Sequence, residues 1–218
     1  MSVFNRRLSR HMARFAAHRM AVLNCFGKFE EFFRVLLSDE PDLSTLRAIQ
    51  ITVDNCERAA DAELSHLLDP PHHVPAAQIC TRLLPLTCAL DGIAKHCRKT
   101  VYGVMAEAPE LPVCLRAELS EILALTKKQL SLLGHACDRM LYEPKTLDRD
   151  RKLLADIRAE ADKLESLRLA LHGRIYASQL PPIEKRCLRD LLDDLCRPAH
   201  TVGEITDQIR IMLLGLRR

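Results

Sequence analysis

The chain has 218 residues, a formal net charge of +3 and 4% aromatic side chains, enough length to bury a core in one elongated domain or in two small halves. So small a positive charge and so few aromatics exclude nucleic acid as a partner, because neither an electrostatic footprint nor a stacking surface is present. With 7 Gly, no Trp and a vocabulary led by Leu, Ala, Arg, Glu and Asp, the composition is that of a helical protein.

In chain order, the spacing predicts long amphipathic helices divided by proline-bearing breaks. The first runs from about Asn5 to Leu37, with Leu8, Met12, Phe15, Val22, Phe26, Phe29, Phe33 and Leu36 on one stripe and Arg19 interrupting it. Its first half is basic and reads as a solvated face. After Asp39-Glu40-Pro41-Asp42, a cap at Asp42 or Ser44 opens a second helix that runs to about Leu68. Asp69 to Pro75 is a stiff turn holding Pro70, Pro71, His72 and His73, a histidine pair that we read as solvent-facing and not as a metal site. The third helix, about Ala76 to Ala106, carries Asp91 on its flank one turn after Thr87, and Pro85 predicts a kink.

Pro109 and Pro112 mark the midpoint. A fourth helix spans about Val113 to Leu141, a fifth starts at a Thr146 or Asp148 cap and reaches about Ala177, and a sixth covers about Pro182 to Leu216, with a kink at Pro198. Asp156, Glu160 and Asp162 lie on or beside the stripe of the fifth, and Asp193 and Asp194 stand together on the sixth. The two halves read as a duplication, 1–107 and 108–218, each a three-helix unit with a Pro-Pro turn before its last helix.

The nine cysteines, scattered singly without Cys-x-x-Cys spacing, read as reduced core residues and suggest a cytoplasmic setting. No apolar run approaches the roughly 20 residues that span a bilayer. Catalysis is not expected: the Glu-x-x-His from Glu63 to His66 is single, whereas a di-iron bundle needs paired motifs, and no phosphate loop or nucleophile elbow occurs.

The chemistry concentrates at Asp54, Glu57 and Asp61 in the second helix. These acids project from one face together with Val53, Ala60 and Leu64. A carboxylate facing a core is costly unless it is paired, hydrogen-bonded or bound to a cation. The segment is therefore either a salt-bridge site, with Asp54 and Arg58 at i,i+4 as one pair, or a cation site in which Glu57 and Asp61 clasp a metal with Asp91 from the third helix.

This pattern resembles the PhoU-like proteins, and among them the short accessory proteins of Pit-type phosphate transporters. Glu57-Arg58-Ala59-Ala60-Asp61 matches the Glu/Asp-x-x-x-Asp motif of that family in full, and Asp91 matches an acid of the third helix where Thr87 replaces its partner. In the second half Asp162 matches while Arg158 replaces its partner acid, and the last helix offers Asp193 or Asp194 with Arg197 or Pro198 where the closing Asp would stand. The resemblance implies an all-α, elongated six-helix bundle of two pseudo-repeated three-helix units. It also implies a regulator of inorganic phosphate transport, cytoplasmic and peripheral to the inner face of the membrane, with a Pit-type transporter and a second copy of the chain as partners. For the sites it implies a divalent metal or iron held by Glu57, Asp61 and Asp91, and a degenerate second site at Asp162, Asp193 and Asp194, where Arg158 favours an ion pair with Asp162 or Asp156 instead.

Overall fold

The computed structural model describes residues 3–68, 74–109, 111–149 and 152–215, and within them the side chains of all but 3–10, 74–82, 144, 148, 149 and 215. Pro70, Pro71, His72 and His73 lie outside the described residues. The elements are α1 (Val3–Leu36), α2 (Leu43–Leu68), α3 (Val74–Glu107), α4 (Val113–Tyr142), α5 (Pro144–Arg149), α6 (Lys152–Ala177) and α7 (Pro182–Gly215). The described residues contain helices and no strand. Helices α1, α2 and α3 pack on one another, as do α4, α6 and α7, and the two triples meet along α3 against α7 and α1 against α4.

The local chemistry accounts for the boundaries. Asp42 caps α2: its carboxylate accepts the backbone N–H of Ser44 at 3.1 Å and of Thr45 at 3.0 Å. The hydroxyls of Thr45 and Ser44 also donate to it and, with those amides, hold its carboxyl well below the usual range. Pro182 opens α7, at a position where the missing N–H costs nothing, and the carbonyl of Pro181 accepts the Lys185 N–H at 3.1 Å.

Between α4 and α6 the chain differs from its expected course. Thr146 does not cap the long helix but lies inside the separate short helix α5. The break follows from Pro144, which is preorganised for a helix start, and from the Glu143 carbonyl, which accepts the Thr146 and Leu147 N–H groups at 3.0 and 3.1 Å. Leu147, fully buried, pins this turn to the core.

The core runs the length of the bundle. Phe26, Phe29, Phe33 and Phe32 of α1 form an aromatic chain with centroids 5.7, 4.9 and 5.4 Å apart. Phe32 lies outside the simple stripe yet is fully buried, because α1 is covered by α2, α3 and α4 and so buries a wider arc than a surface helix does. Arg19 does not face water: its guanidinium reaches Asp138 of α4 at 2.7 Å, and a Cβ at Gly134 would stand 2.6 Å from its Nη1. Glycine at 134 thus lets an α1 cation cross to α4. Arg14 donates to the carbonyl of His66 at 2.6 Å, satisfying the last turn of α2. In these two positions the basic stretch of α1 is structural and not a solvated face, while the side chains of Arg6, Arg7 and Arg10 lie outside those described.

Both internal prolines sit within continuous helices. Pro198 has no N–H to offer the carbonyl of Asp194. That carbonyl instead accepts Nε2–H of His96, on α3, at 2.8 Å, so the defect in α7 becomes a tie between the two triples.

Candidate functional site

The acids of α2 point into the first triple as their spacing requires. Asp54 is 7% exposed, Glu57 5% and Asp91, on α3, 4%, whereas Asp61 sits on the exposed rim. Buried carboxylates at such density must be compensated, and the partners come from one stripe of α3. Asp91, Lys95 and Arg98 follow each other at steps of four and three residues, so they share the face turned to α2. Arg98 places Nε 2.6 Å from Asp54 and Nη1 3.6 Å from Glu57. Lys95 Nζ lies 2.8 Å from Asp91 and 3.3 Å from Asp61. Arg58 closes on Asp54 at 2.8 Å, the i,i+4 pair expected from the sequence, and His18 Nε2 of α1 stands 3.6 Å from Asp91 Oδ1.

The electrostatics follow from these contacts. Burial pushes the Asp91 carboxyl upward, but His18 and Lys95 outweigh it and hold the group below its usual range. Asp91, then Asp61, raises the Lys95 ammonium. Burial opposes the charge of Arg98, yet Glu57 and Asp54 raise its guanidinium above the ordinary value. The ring of Tyr102 lies under Arg98 at 5.7 Å. The centre is thus four carboxylates interleaved with Arg58, Lys95 and Arg98, with a fully buried imidazole at its inner end.

Of the three residues named for a first metal site, Asp61 and Asp91 are brought together, but through the Lys95 ammonium, and Glu57 belongs with Asp54 to Arg98. Among the described residues no three His, Cys, Asp or Glu side chains converge on one point as metal ligands. Side-chain cations stand between the carboxylates where a metal would have to sit. The arrangement does not fit a metal.

In the second triple the acids disperse. Asp162, Asp156 and Arg158 are all exposed, so no buried pair forms among them. The buried acid of α6 is Glu160, held below its usual range by Lys128 of α4 at 2.8 Å and by Lys163 at 2.9 Å. Asp193 faces α6, where Arg168 and His172 each approach it at 3.0 Å. Arg168 also grips Glu165 through two hydrogen bonds of 2.7 and 2.8 Å. Asp194, about 100° round the helix, faces α3, its Oδ1 3.7 Å from His96. Asp162, Asp193 and Asp194 therefore have separate surroundings.

Lys95, Arg98 and His18 were not identified from the sequence. The signal was present in the charge spacing Asp91-Lys95-Arg98 on α3, which mirrors Asp54-Glu57-Asp61 on α2. The eight described cysteines are free thiols, and burial pushes those of Cys137 and Cys196 up to about 12, as inert core residues require.

No protein-family model matches the chain, and no curated protein matches it in sequence. Solved structures do match it in shape. A PhoU-like phosphate regulatory protein from Shewanella oneidensis MR-1 superposes with a TM-score of 0.80 at 16% identity, covering 94% of this chain and 99% of that one. A second crystal structure, of a PhoU-like protein from the same organism, gives the same TM-score, identity and coverage. At such identity the likeness establishes architecture: the chain has the all-α PhoU-like fold over 94% of its length.

Proposed function

We propose that the chain is a non-catalytic accessory regulator of inorganic phosphate transport, working in the cytoplasm at the inner face of the membrane with a Pit-type transporter as partner. One observation carries the reading: the likeness to a PhoU-like phosphate regulatory protein extends over 94% of this chain and 99% of that one. Among the described residues no helix is long and apolar enough to cross a membrane; the contact this reading requires is with the transporter. The two triples represent a duplicated unit, and a second copy of the chain is a further partner, tested by the mass in light scattering.

A second reading, a helical adaptor whose inner acids form structural ion pairs, draws on Lys95 and Arg98 in the first triple. The two readings share the same neutralised centre and differ in the partner. Cells expressing a Pit-type transporter, with and without this chain, separate them by radiolabelled phosphate uptake and by co-purification in detergent. A change in uptake together with co-purification is expected. Unchanged uptake with no transporter retained would overturn the regulator and leave the adaptor.

A further inference from the structure

The ion-paired centre makes no use of an open groove between the C-terminal third of α6 and the first turns of α7. The groove encloses about 1010 Å³, at the upper end of the roughly 300–1,000 Å³ typical of small-molecule sites. Its α7 wall presents Lys185, Arg186 and Arg189, and the Lys185 and Arg189 side chains emerge one turn apart on the same face. Their compensation is incomplete. Asp190 is shared by Arg189 at 3.1 Å and Arg186 at 3.7 Å. Lys185 donates to a neutral acceptor, the Tyr176 carbonyl, at 2.8 Å and lies over that residue's ring. Three full positive charges thus face one carboxylate. His172 also lines the groove, its ring already tied to Asp193 at 3.0 Å.

We infer that this α6–α7 groove binds a condensed phosphate, free or carried on a small organic body. The uncompensated cations call for a polyanion, because guanidinium groups pair with phosphoryl oxygens through charge-assisted, often bidentate hydrogen bonds. The volume is far larger than one orthophosphate fills, and Arg186 and Arg189 sit three residues apart on the wall, so adjacent phosphoryl groups can be engaged together. A partner helix is the poorer occupant: of the apolar lining, Ile175 is almost wholly buried, and the exposed ring of Tyr176 already carries the Lys185 ammonium over it.

Calorimetric titration of the full chain with tripolyphosphate, ATP and orthophosphate tests this, using Arg186→Gln/Arg189→Gln and, as a control that removes the same charge from α1 and α2, Arg34→Gln/Arg47→Gln. The melting temperature of each variant confirms that it is folded. Tripolyphosphate or ATP should bind, weakened at least about tenfold in the groove variant and less than about twofold in the control. Tighter binding of ATP identifies an organic phosphate, and tighter or equal binding of tripolyphosphate an inorganic one. No binding of either, equal weakening in both variants, or orthophosphate binding as tightly as tripolyphosphate overturns the inference. The groove and the transport role fail separately, since the titration contains no transporter and uptake is compared with and without the whole chain and not between groove variants.

Discussion

Each triple is a set of three helices packed on one another, and the two treat their acids differently. In the first, Asp54, Glu57 and Asp91 are buried with a histidine beside them and three cations threaded between them. In the second, a single acid of α6, Glu160, is buried under two flexible lysines, and the others described are half-buried or exposed. The interior polar groups there are Thr126 and Thr206, which satisfy themselves on the carbonyls of Ile122 and Val202 one turn back, and Gln129. The second triple thus buries one carboxylate in a mostly apolar interior, where the first buries a cluster of them.

Breaking each centre should expose that difference. Arg98→Ala strands Asp54 and Glu57, leaving Asp54 with the exposed Arg58 as its remaining partner. A loss of about 2–3 kcal/mol is expected, below the full penalty for an orphaned buried charge because the guanidinium is half exposed. Adding Asp54→Asn and Glu57→Gln to Arg98→Gln should restore most of it, as removing both partners is far milder than removing one. Urea denaturation checks both, and equal losses in the single and triple variants would contradict the pairing.

His96→Phe removes the donor to the Asp194 carbonyl and should cost about 1–2 kcal/mol for the orphaned acceptor. His96→Gln, which keeps an N–H, should recover part of this in the same measurement. Because that tie lies between the triples, its loss should also show as faster hydrogen exchange in α7 around residues 194–198.

Acid should act in two stages. Burial holds the His96 imidazole below its ordinary 6.5, against the pull of Asp194. Its stabilising contribution is therefore complete above pH 6.5 and is lost as pH falls through the lowered folded value. Asp91, lowered from 3.8, and Glu160, lowered from 4.5, contribute fully above those values and lose their contributions as pH falls through their depressed ones. A pH series of melting temperatures should show the first stage abolished in His96→Gln and the second unchanged.

Smaller effects belong to the second triple. Lys128→Ala should cost no more than about 1 kcal/mol, since Lys163 remains on Glu160 and both lysines are largely exposed. Asp162→Asn, at the surface, should stay within about 0.5 kcal/mol. A large loss in either would erase the contrast between the triples.

Much of this was legible in the residues. Helix periodicity located the long helices and most of the core, the Asp42 cap was readable from its type and position, and the burial of Glu57 followed from the company of Val53, Ala60 and Leu64. Helix α5 was not, because Pro144 and the buried Leu147 mark a turn only once the bundle is there to receive them. The acids of α2 were visible as a problem, but its solution lay on another helix. Lys95 and Arg98 become counter-ions only when α3 is laid against α2, and a residue list does not supply that register. Likewise Arg19 looked like an interruption until Gly134 and Asp138 of α4 came opposite it.

Elemental mass spectrometry of the untagged chain, alongside a Glu57→Ala/Asp61→Ala variant, tests most directly whether the first centre is neutralised by the protein's own cations. Metal well below one equivalent is expected in both proteins. About one metal per chain, lost in the variant, would contradict it and place a bound cation where Lys95 and Arg98 are assigned.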